Sequence, residues 1–117
     1  MAKALSGQGT SKLAIPTKDG LLFLEHDNVV CLTAEGRYTR VQCQDGSSHL
    51  VCENLHDLEL QLPPARFHRC HRSHLLNLAK VSQLFRHGGH RAKLITGLVV
   101  LVSRRHWAAL LAAMQGT

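Results

Sequence analysis

Short apolar or alternating segments, separated by turn residues, recur along most of the chain and predict a mainly β protein. Strands are predicted over 12–16, 21–25, 29–33, 37–44, 49–53, 66–70, 81–86, 91–96 and 98–102. Residues 71–77 are rich in hydrogen-bonding side chains and predict a loop. Asp45-Gly46, Gly88-Gly89 and Gly97 predict turns between strands. Because helices do not alternate with the strands, we expect antiparallel rather than parallel pairing.

Two helices interrupt this pattern. Asn54 is a candidate N-cap for a short middle helix that Pro63-Pro64 would end. Ser103 is a candidate N-cap for a C-terminal helix over 104–114. Their apolar faces consist of Leu55, Leu58 and Leu62 in the first helix and Trp107, Leu110, Leu111 and Met114 in the second. We interpret both faces as core, which gives small antiparallel sheets with two helices.

The length of 117 residues is enough for one domain with one modest core. Residues 1–11 are small, polar and Gly-rich, and they predict a disordered tail ahead of a domain over 12–117. No apolar run approaches the roughly 20 residues of a membrane-spanning helix, and no secretory signal pattern is present. We therefore expect a cytoplasmic protein without membrane contact.

The charge is distributed very unevenly along the chain. Residues 1–63 contain all eight acidic residues and five Lys or Arg, which leaves −3. Residues 64–117 contain nine Lys or Arg and no acid, which gives +9 and the stated total of +6. Six of the nine histidines also lie in this second part. A stretch that cannot neutralise its own arginines favours an external polyanion, and nucleic acid is the commonest one.

Neither the cysteines nor the histidines predict a metal site or a cofactor. The cysteines are widely spaced without a C-x-x-C motif, at Cys31, Cys43, Cys52 and Cys70. They indicate free thiols, mostly buried as small apolar residues. His68, Cys70, His71 and His74 crowd into seven residues. Because neighbouring residues of a strand point to opposite faces, His68 and Cys70 would point away from His71. No second Cys or His pair follows at the spacing of a zinc finger.

Three segments occur in an order that matches a known pattern. Residues 27–46 (DNVVCLTAEGRYTRVQCQDG) contain an apolar strand, a Glu, an aromatic-polar-basic patch and an Asp-Gly turn. Residues 53–81 contain a short Leu-rich helix and then F-x-R-x-H-R-S-x-x-x-N, formed by Phe67, Arg69, His71, Arg72, Ser73 and Asn77. Residues 97–114 (GLVVLVSRRHWAALLAAM) contain a strand, Ser-Arg-Arg and a helix. From Phe23 onward the chain resembles the LytTR family, the DNA-binding output domain of many bacterial response regulators.

The resemblance implies an elongated fold of small antiparallel sheets that binds double-stranded DNA through loops. It implies a transcriptional regulator of a two-component system, not an enzyme, with no cofactor and no small-molecule substrate. Direct-repeat promoter sites, which family members bend, would hold two copies of the chain. Most relatives also carry a phosphoacceptor receiver domain, so we expect either a free-standing regulator or an excised output domain.

The resemblance also assigns DNA-contacting residues. Arg72, Arg105 and Tyr38 match positions that contact bases in relatives, and an arginine can donate two parallel hydrogen bonds to guanine. The candidate phosphate contacts are Arg40, Arg69, His74, Lys80 and Arg104. Arg69 could equally pair with Glu53 or Asp57.

Other polar residues in the same segments are interpreted as structural. His71, Ser73 and Asn77 are expected to stabilise their loop by hydrogen bonds, and Phe67 is expected in the core. Arg86, Arg91 and Lys93 flank a hairpin and could form an ordinary solvated face.

Two other function classes remain to be compared. A module for single-stranded nucleic acid or RNA would need several exposed aromatic residues for base stacking, and the chain has only one Tyr, one Trp and three Phe. A hydrolase or nuclease would need paired acids or a phosphate-binding loop. The acids all lie in the less basic part, and no such motif is present.

Overall fold

The computed structural model describes residues 11–116 and shows an elongated molecule of 43 × 30 × 24 Å. Residues 1–10 of the predicted tail lie outside the described residues. Ser11, which the prediction placed in the tail, is held at the edge of the domain. Its carbonyl accepts a hydrogen bond from the His26 backbone N–H at 2.7 Å.

Within residues 11–116, ten strands form three antiparallel sheets, which confirms the predicted fold class. The two-stranded sheet pairs β1 (Lys12–Thr17) with β2 (Gly20–Glu25). The five-stranded sheet contains β3 (Val29–Glu35), β4 (Tyr38–Cys43), β5 (Ser48–Val51), β6 (Phe67–His71) and β7 (His74–Asn77), in the order β5-β4-β3-β7-β6. The three-stranded sheet contains β8 (Val81–Arg86), β9 (His90–Leu94) and β10 (Val99–Leu101), in the order β10-β9-β8.

The predicted loop over 71–77 is wrong in its second half, because His74–Asn77 forms β7 between β3 and β6. Leu75 and Leu76 are both completely buried, although neighbouring residues of a strand point to opposite faces. The five-stranded sheet is covered on both sides at this point, so the strand lacks the polar–apolar alternation that reveals a half-exposed strand.

Two hydrophobic clusters, not the single core expected from the chain length, lie on opposite faces of the five-stranded sheet. In the first, Leu32 and Leu75 pack with the inner side of the β1–β2 hairpin and with the middle helix. In the second, Cys31 and Leu76 pack with the three-stranded sheet and the C-terminal helix, whose Leu110 is fully buried. The central sheet therefore provides a rigid support for the loops at its edges.

The two predicted helices are present. Helix α1 (Leu55–Glu59) begins at Asn54, whose side-chain oxygen accepts a hydrogen bond from the Asp57 backbone N–H at 2.8 Å. Helix α2 (Arg104–Gln115) packs its apolar face on the second cluster, and the Trp107 ring stacks on His90 at a centroid distance of 4.4 Å. Leu62 lies beyond the end of α1 but is buried in the first cluster. Within residues 11–116, no helix has the length and apolar character needed to cross a bilayer.

Asn77 stabilises more than a local turn. It is completely buried, and its side-chain amide donates hydrogen bonds to the carbonyls of His26 at 3.2 Å and Val29 at 2.9 Å. Its side-chain oxygen accepts a hydrogen bond from the Ala79 N–H at 3.1 Å. Asn77 thus connects the end of β7 to the segment that joins β2 and β3.

The cysteines within the described part are all free, as predicted, and only Cys52 is exposed. Burial raises the pKa of the Cys31 thiol to about 11 and that of the Cys70 thiol to about 12. Both thiols are therefore protonated at neutral pH and act as apolar core groups.

Candidate nucleic-acid interface

Three chain segments are connected by hydrogen bonds to β6 and the turn that follows it: the end of β3, the β6–β7 turn that carries Arg72, and the start of α2 that carries Arg105. The end of β3 is joined to the β6–β7 turn by a hydrogen bond from the Ala34 N–H to the Ser73 carbonyl at 2.8 Å, and Tyr38 follows on β4, paired with Glu35 at the end of β3. The junction between β10 and α2 is joined to β6 by a hydrogen bond from the Ser103 N–H to the Cys70 carbonyl at 2.9 Å. The fold thus brings together segments that are far apart in sequence.

A row of polar side chains crosses the central sheet beside these segments. The strand register pairs Thr33 with Arg40 on one side and with His74 on the other, and His74 with His71. Side chains that are paired across antiparallel strands share a face. Thr33 Oγ1 and His74 Nδ1 are 3.0 Å apart, and the rings of His71 and His74 lie at a centroid distance of 5.2 Å. We call Arg40, Thr33, His74 and His71 the polar row.

Arg72 lies at the exposed tip of the β6–β7 turn. The turn is stabilised by its neighbours, as predicted for His71 and Ser73. The His71 Nδ1 accepts a hydrogen bond from the Ser73 N–H at 3.0 Å. The backbone carbonyl of Arg72 accepts a further hydrogen bond from Arg69 Nη1 at 2.7 Å. The Arg72 side chain therefore projects from a turn whose backbone is fixed.

Arg69 pairs with neither of the predicted acids but with Glu59. Its Nε lies 3.2 Å and its Nη2 lies 2.8 Å from Glu59 Oε1. The Arg69 side chain is only 24% exposed. Arg69 has five N–H donors. The two hydrogen bonds to Glu59 and the one to the Arg72 carbonyl use three of them. The predicted phosphate contact would have to use the remaining two.

Arg104 and Arg105 are exposed in the first turn of α2. Ser103 occupies the N-cap position, as predicted, but its hydroxyl caps no backbone N–H group. It lies instead 2.5 Å from His106 Nδ1. The prediction that Ser103 caps the helix through its side chain is therefore wrong, and the amides of the first turn are not occupied by it. Such amides favour an anion.

Tyr38 and Arg40 lie on the same face of β4, because they are two residues apart on one strand. Tyr38 is 44% exposed. Arg40 donates from Nε to Glu35 Oε2 at 2.7 Å and from Nη1 to Ser48 Oγ at 3.1 Å. The hydrogen bond from Arg40 lowers the pKa of the Glu35 carboxyl, so Glu35 stays ionised and partly neutralises Arg40.

Lys80 is not brought to the three joined segments. It lies in a 3₁₀ turn, Leu78–Lys80, at the end of β7 that is opposite to the Arg72 turn.

Arg91, one of the three residues interpreted as an ordinary solvated face, makes hydrogen bonds within the protein instead. Its side chain donates to the carbonyls of His87 at 3.1 Å and Gly88 at 3.0 Å and so stabilises the β8–β9 turn. Arg86 and Lys93 are exposed.

The strict alternation expected for His68, Cys70 and His71 is interrupted in β6. A β-bulge between Arg69 and His71 shifts the register of β6. The register pairs His68 with Leu76 and His71 with His74, and these two β7 residues are two positions apart, so His68 and His71 share one face of the sheet. The Cys70 thiol is buried and directed towards the Leu101 carbonyl at 3.7 Å. Within residues 11–116 the structure shows no group of three or more His, Cys, Asp or Glu side chains arranged to hold a metal ion.

His74 in the polar row has a lowered pKa, mainly because burial disfavours its charged form and secondarily because His71 lies beside it. The pKa of His26 is also lowered, by burial and by Arg66. At neutral pH both rings are therefore largely uncharged. A phosphate contact by His74 would use a neutral N–H or would draw a proton onto the ring.

These lowered pKa values predict that acid destabilises the fold. The folded state binds fewer protons than the unfolded chain, so the free energy of unfolding is highest above the ordinary histidine pKa of 6.5. It should fall as the pH drops below this value. Urea unfolding at about pH 7.5 and about pH 5.5 measures the change in the free energy of unfolding. Most carboxyl groups titrate below both pH values and therefore contribute little to it. The loss should be smaller in His74→Gln, and an equal loss in this variant would exclude His74 as a cause.

Comparisons with known proteins identify the family and the fold of the chain. The family model described as the LytTr DNA-binding domain matches residues 19–115. A solved structure, the LytTr DNA-binding domain of a protein described as a methyl-accepting/DNA response regulator from Bacillus cereus, is similar with a TM-score of 0.74 and 25% identity. The match covers 93% of this chain and all (100%) of that one. No curated protein sequence matches the chain significantly. The family match over nearly the whole domain, together with the shared fold, shows that this chain belongs to the LytTR family of DNA-binding domains.

Proposed function

We propose that the chain binds double-stranded DNA at specific sequences and regulates transcription as the output domain of a bacterial response regulator. The proposal rests on two exposed arginines whose chain segments are hydrogen-bonded to each other. Arg72 lies at the tip of the β6–β7 turn and Arg105 at the start of α2, and the two segments are connected through the hydrogen bond from Ser103 to Cys70. Both side chains thus project from a rigid support.

Arg72 and Arg105 would read base edges, since a guanidinium can donate two parallel hydrogen bonds to the O6 and N7 atoms of guanine. Tyr38 would add a hydroxyl and an aromatic face at the neighbouring turn. The exposure of Arg104 supports it as a phosphate contact, and the amides at the start of α2, which the Ser103 hydroxyl does not cap, would add to this contact. Arg40, Arg69 and His74 would bind phosphate with the donors that their internal partners leave free.

Two copies on direct-repeat promoter sites, with bending of the DNA, complete the proposal by analogy with the family. The chain would act by binding and not by catalysis. A module for single-stranded nucleic acid is less well supported, because stacking needs several adjacent aromatic side chains. Among the described residues, the large exposed aromatic side chains are Tyr38 beside the polar row and Phe23 on the β1–β2 hairpin.

Selection of bound duplexes from a random pool tests this function and identifies the site in one step. The purified chain should enrich a defined motif, and a repeat of that motif at fixed spacing would support two copies per site. Enrichment without a common motif would contradict sequence-specific binding. Equal or stronger retention of the matching single strands would favour the alternative module.

A Lys80→Ala variant tests whether the DNA interface extends beyond the three joined segments. If a phosphate reaches beyond the far end of β7, Lys80→Ala should weaken binding to selected and random duplexes equally. It should also reduce the slope of log affinity against log salt by about 1. Fluorescence anisotropy at several salt concentrations gives both quantities. Unchanged affinity and slope would remove Lys80 from the interface, and Arg104→Ala provides the comparison for a residue at the joined segments.

A further inference from the structure

We propose that Glu59 and Arg69 are positioning residues that fix the direction in which Arg72 is presented to DNA. The inference rests on the proposed base reading by Arg72 and names the residues on which the reading depends. Glu59 would act from α1 through Arg69 on the β6–β7 turn, without a contact of its own to DNA.

The first observation is that the Arg72–Ser73 turn does not have the geometry that a two-residue hairpin favours. Arg72 and Ser73 are the two residues between the paired positions His71 and His74. The two-residue turns that match the twist of a hairpin need positive φ at one or both central residues. Within residues 11–116 only glycines have positive φ, so the Arg72–Ser73 turn is not of this favoured type. Its conformation therefore depends on contacts from outside the turn.

The second observation is the source of those contacts. Ser73 is held by His71 Nδ1 and by the Ala34 N–H. The contact that fixes the backbone of Arg72 itself is the hydrogen bond from Arg69 Nη1 to the Arg72 carbonyl at 2.7 Å. The orientation of this peptide group sets the direction of the Arg72 side chain, so the position of the Arg69 guanidinium matters directly.

The third observation is that Glu59 fixes this guanidinium. Glu59 Oε1 accepts from both Nε and Nη2 of Arg69, and the two side chains are only 36% and 24% exposed. Glu59 is the last residue of α1, which is anchored in the first hydrophobic cluster by Leu55 and Leu58. The contacts thus run from a helix anchored in the core to the tip of the turn.

The sign of the charge makes the proposal testable. Glu59 places a carboxylate near a surface that binds a polyanion, so simple electrostatics predicts that its removal strengthens DNA binding. A positioning role predicts the opposite for the cognate site. The two explanations therefore give opposite changes in affinity for the same variant.

The experiment compares Glu59→Gln with the control Glu25→Gln, which also removes one carboxylate but is paired only with Lys12 and Ser11 on the β1–β2 side. Affinities are measured for the selected duplex and for a scrambled duplex at one salt concentration, with and without Arg72→Ala. Glu59→Gln should lower affinity for the selected duplex by about 3- to 10-fold. It should not lower affinity for the scrambled duplex, and it should cause no further loss when Arg72 is already alanine. Glu25→Gln should lower neither affinity.

Urea unfolding confirms that each variant is folded under the binding conditions. Arg69→Lys is the second variant, because a lysine keeps the charge but cannot span both Glu59 and the Arg72 carbonyl as the planar guanidinium does. Because Arg69 is also a proposed phosphate contact, Arg69→Lys is expected to affect both duplexes. Its additional loss on the selected duplex should disappear in the Arg72→Ala background. A gain in both affinities with Glu59→Gln, or a loss that persists in the Arg72→Ala background, would overturn the positioning role. If Arg72→Ala itself leaves the selected affinity unchanged, base reading by Arg72 and its positioning are both wrong.

Discussion

Replacing Arg72 or Arg105 by alanine is expected to weaken binding to the selected duplex by about 1–3 kcal/mol each. The loss should be much smaller on a scrambled duplex, because a base-reading arginine contributes mainly where its guanine is present. Specificity should relax only at the base pair that each arginine reads. Both side chains are exposed and project from segments that are hydrogen-bonded to β6 or β3, so their removal should leave the fold intact.

Two control variants separate base reading from general charge. Lys93→Ala removes an exposed cation from the end of β9 that pairs with Val99, at the opposite end of this strand from His90, whose carbonyl contacts Val102 beside Ser103, and it should change little. Arg104→Ala removes a proposed phosphate contact next to Arg105 and should weaken all duplexes to a similar extent. If Arg72→Ala and Arg105→Ala also reduced the selected and scrambled affinities equally, these residues would be phosphate contacts and not base readers.

Replacing Asn77 by alanine should lower the free energy of unfolding by about 2–4 kcal/mol, because each buried group that loses its partner costs about 1–3 kcal/mol. The variant leaves the carbonyls of His26 and Val29 without the amide that they share, in a site with no exposure. Asn77→Asp should be at least as unstable, and more so at high pH, because a carboxylate would face the same two carbonyls.

Urea unfolding at constant pH measures this effect, with Asn28→Ala as the control. The Asn28 side chain makes two hydrogen bonds, both to Asp45, but at the surface where water can replace them. Its loss should be below about 1 kcal/mol. Comparable losses in the two variants would show that burial of Asn77 has no special importance.

The sequence predicted the elements whose signal is local. The apolar face of α2 repeats at helical spacing, Asn54 and Gly46 carry the chemistry of a cap and a turn, and most strand positions alternate or are bounded by turns. It did not predict β7, because a strand buried on both faces has no alternation. Nor did it predict two cores in place of one, since their separation depends on which elements cover each face of the sheet.

The proposed base contacts were predicted from the family resemblance and the phosphate contacts from basic side chains near them, but the partners of these residues were not predicted. The pairing of Arg69 with Glu59 depends on how β6 packs against α1, which no local pattern encodes. The contact of Ser103 with His106 spans only three residues, but the N-cap pattern assigned the Ser103 hydroxyl to a backbone amide instead. Thr33 carried no signal at all, because its place in the polar row appears only when the register of β3 with β4 and β7 is known. The bulge in β6 likewise could not be predicted, and it changes which face of the strand His71 occupies.

The most direct test of the central claim is a competition measurement with the wild-type chain. The affinity for the selected duplex is compared with that for a scrambled duplex of the same length and composition at about 0.15 M salt, where non-specific phosphate binding is weakened. The account predicts that the selected duplex binds at least about 10³-fold more tightly. Equal affinities for the two duplexes would contradict it.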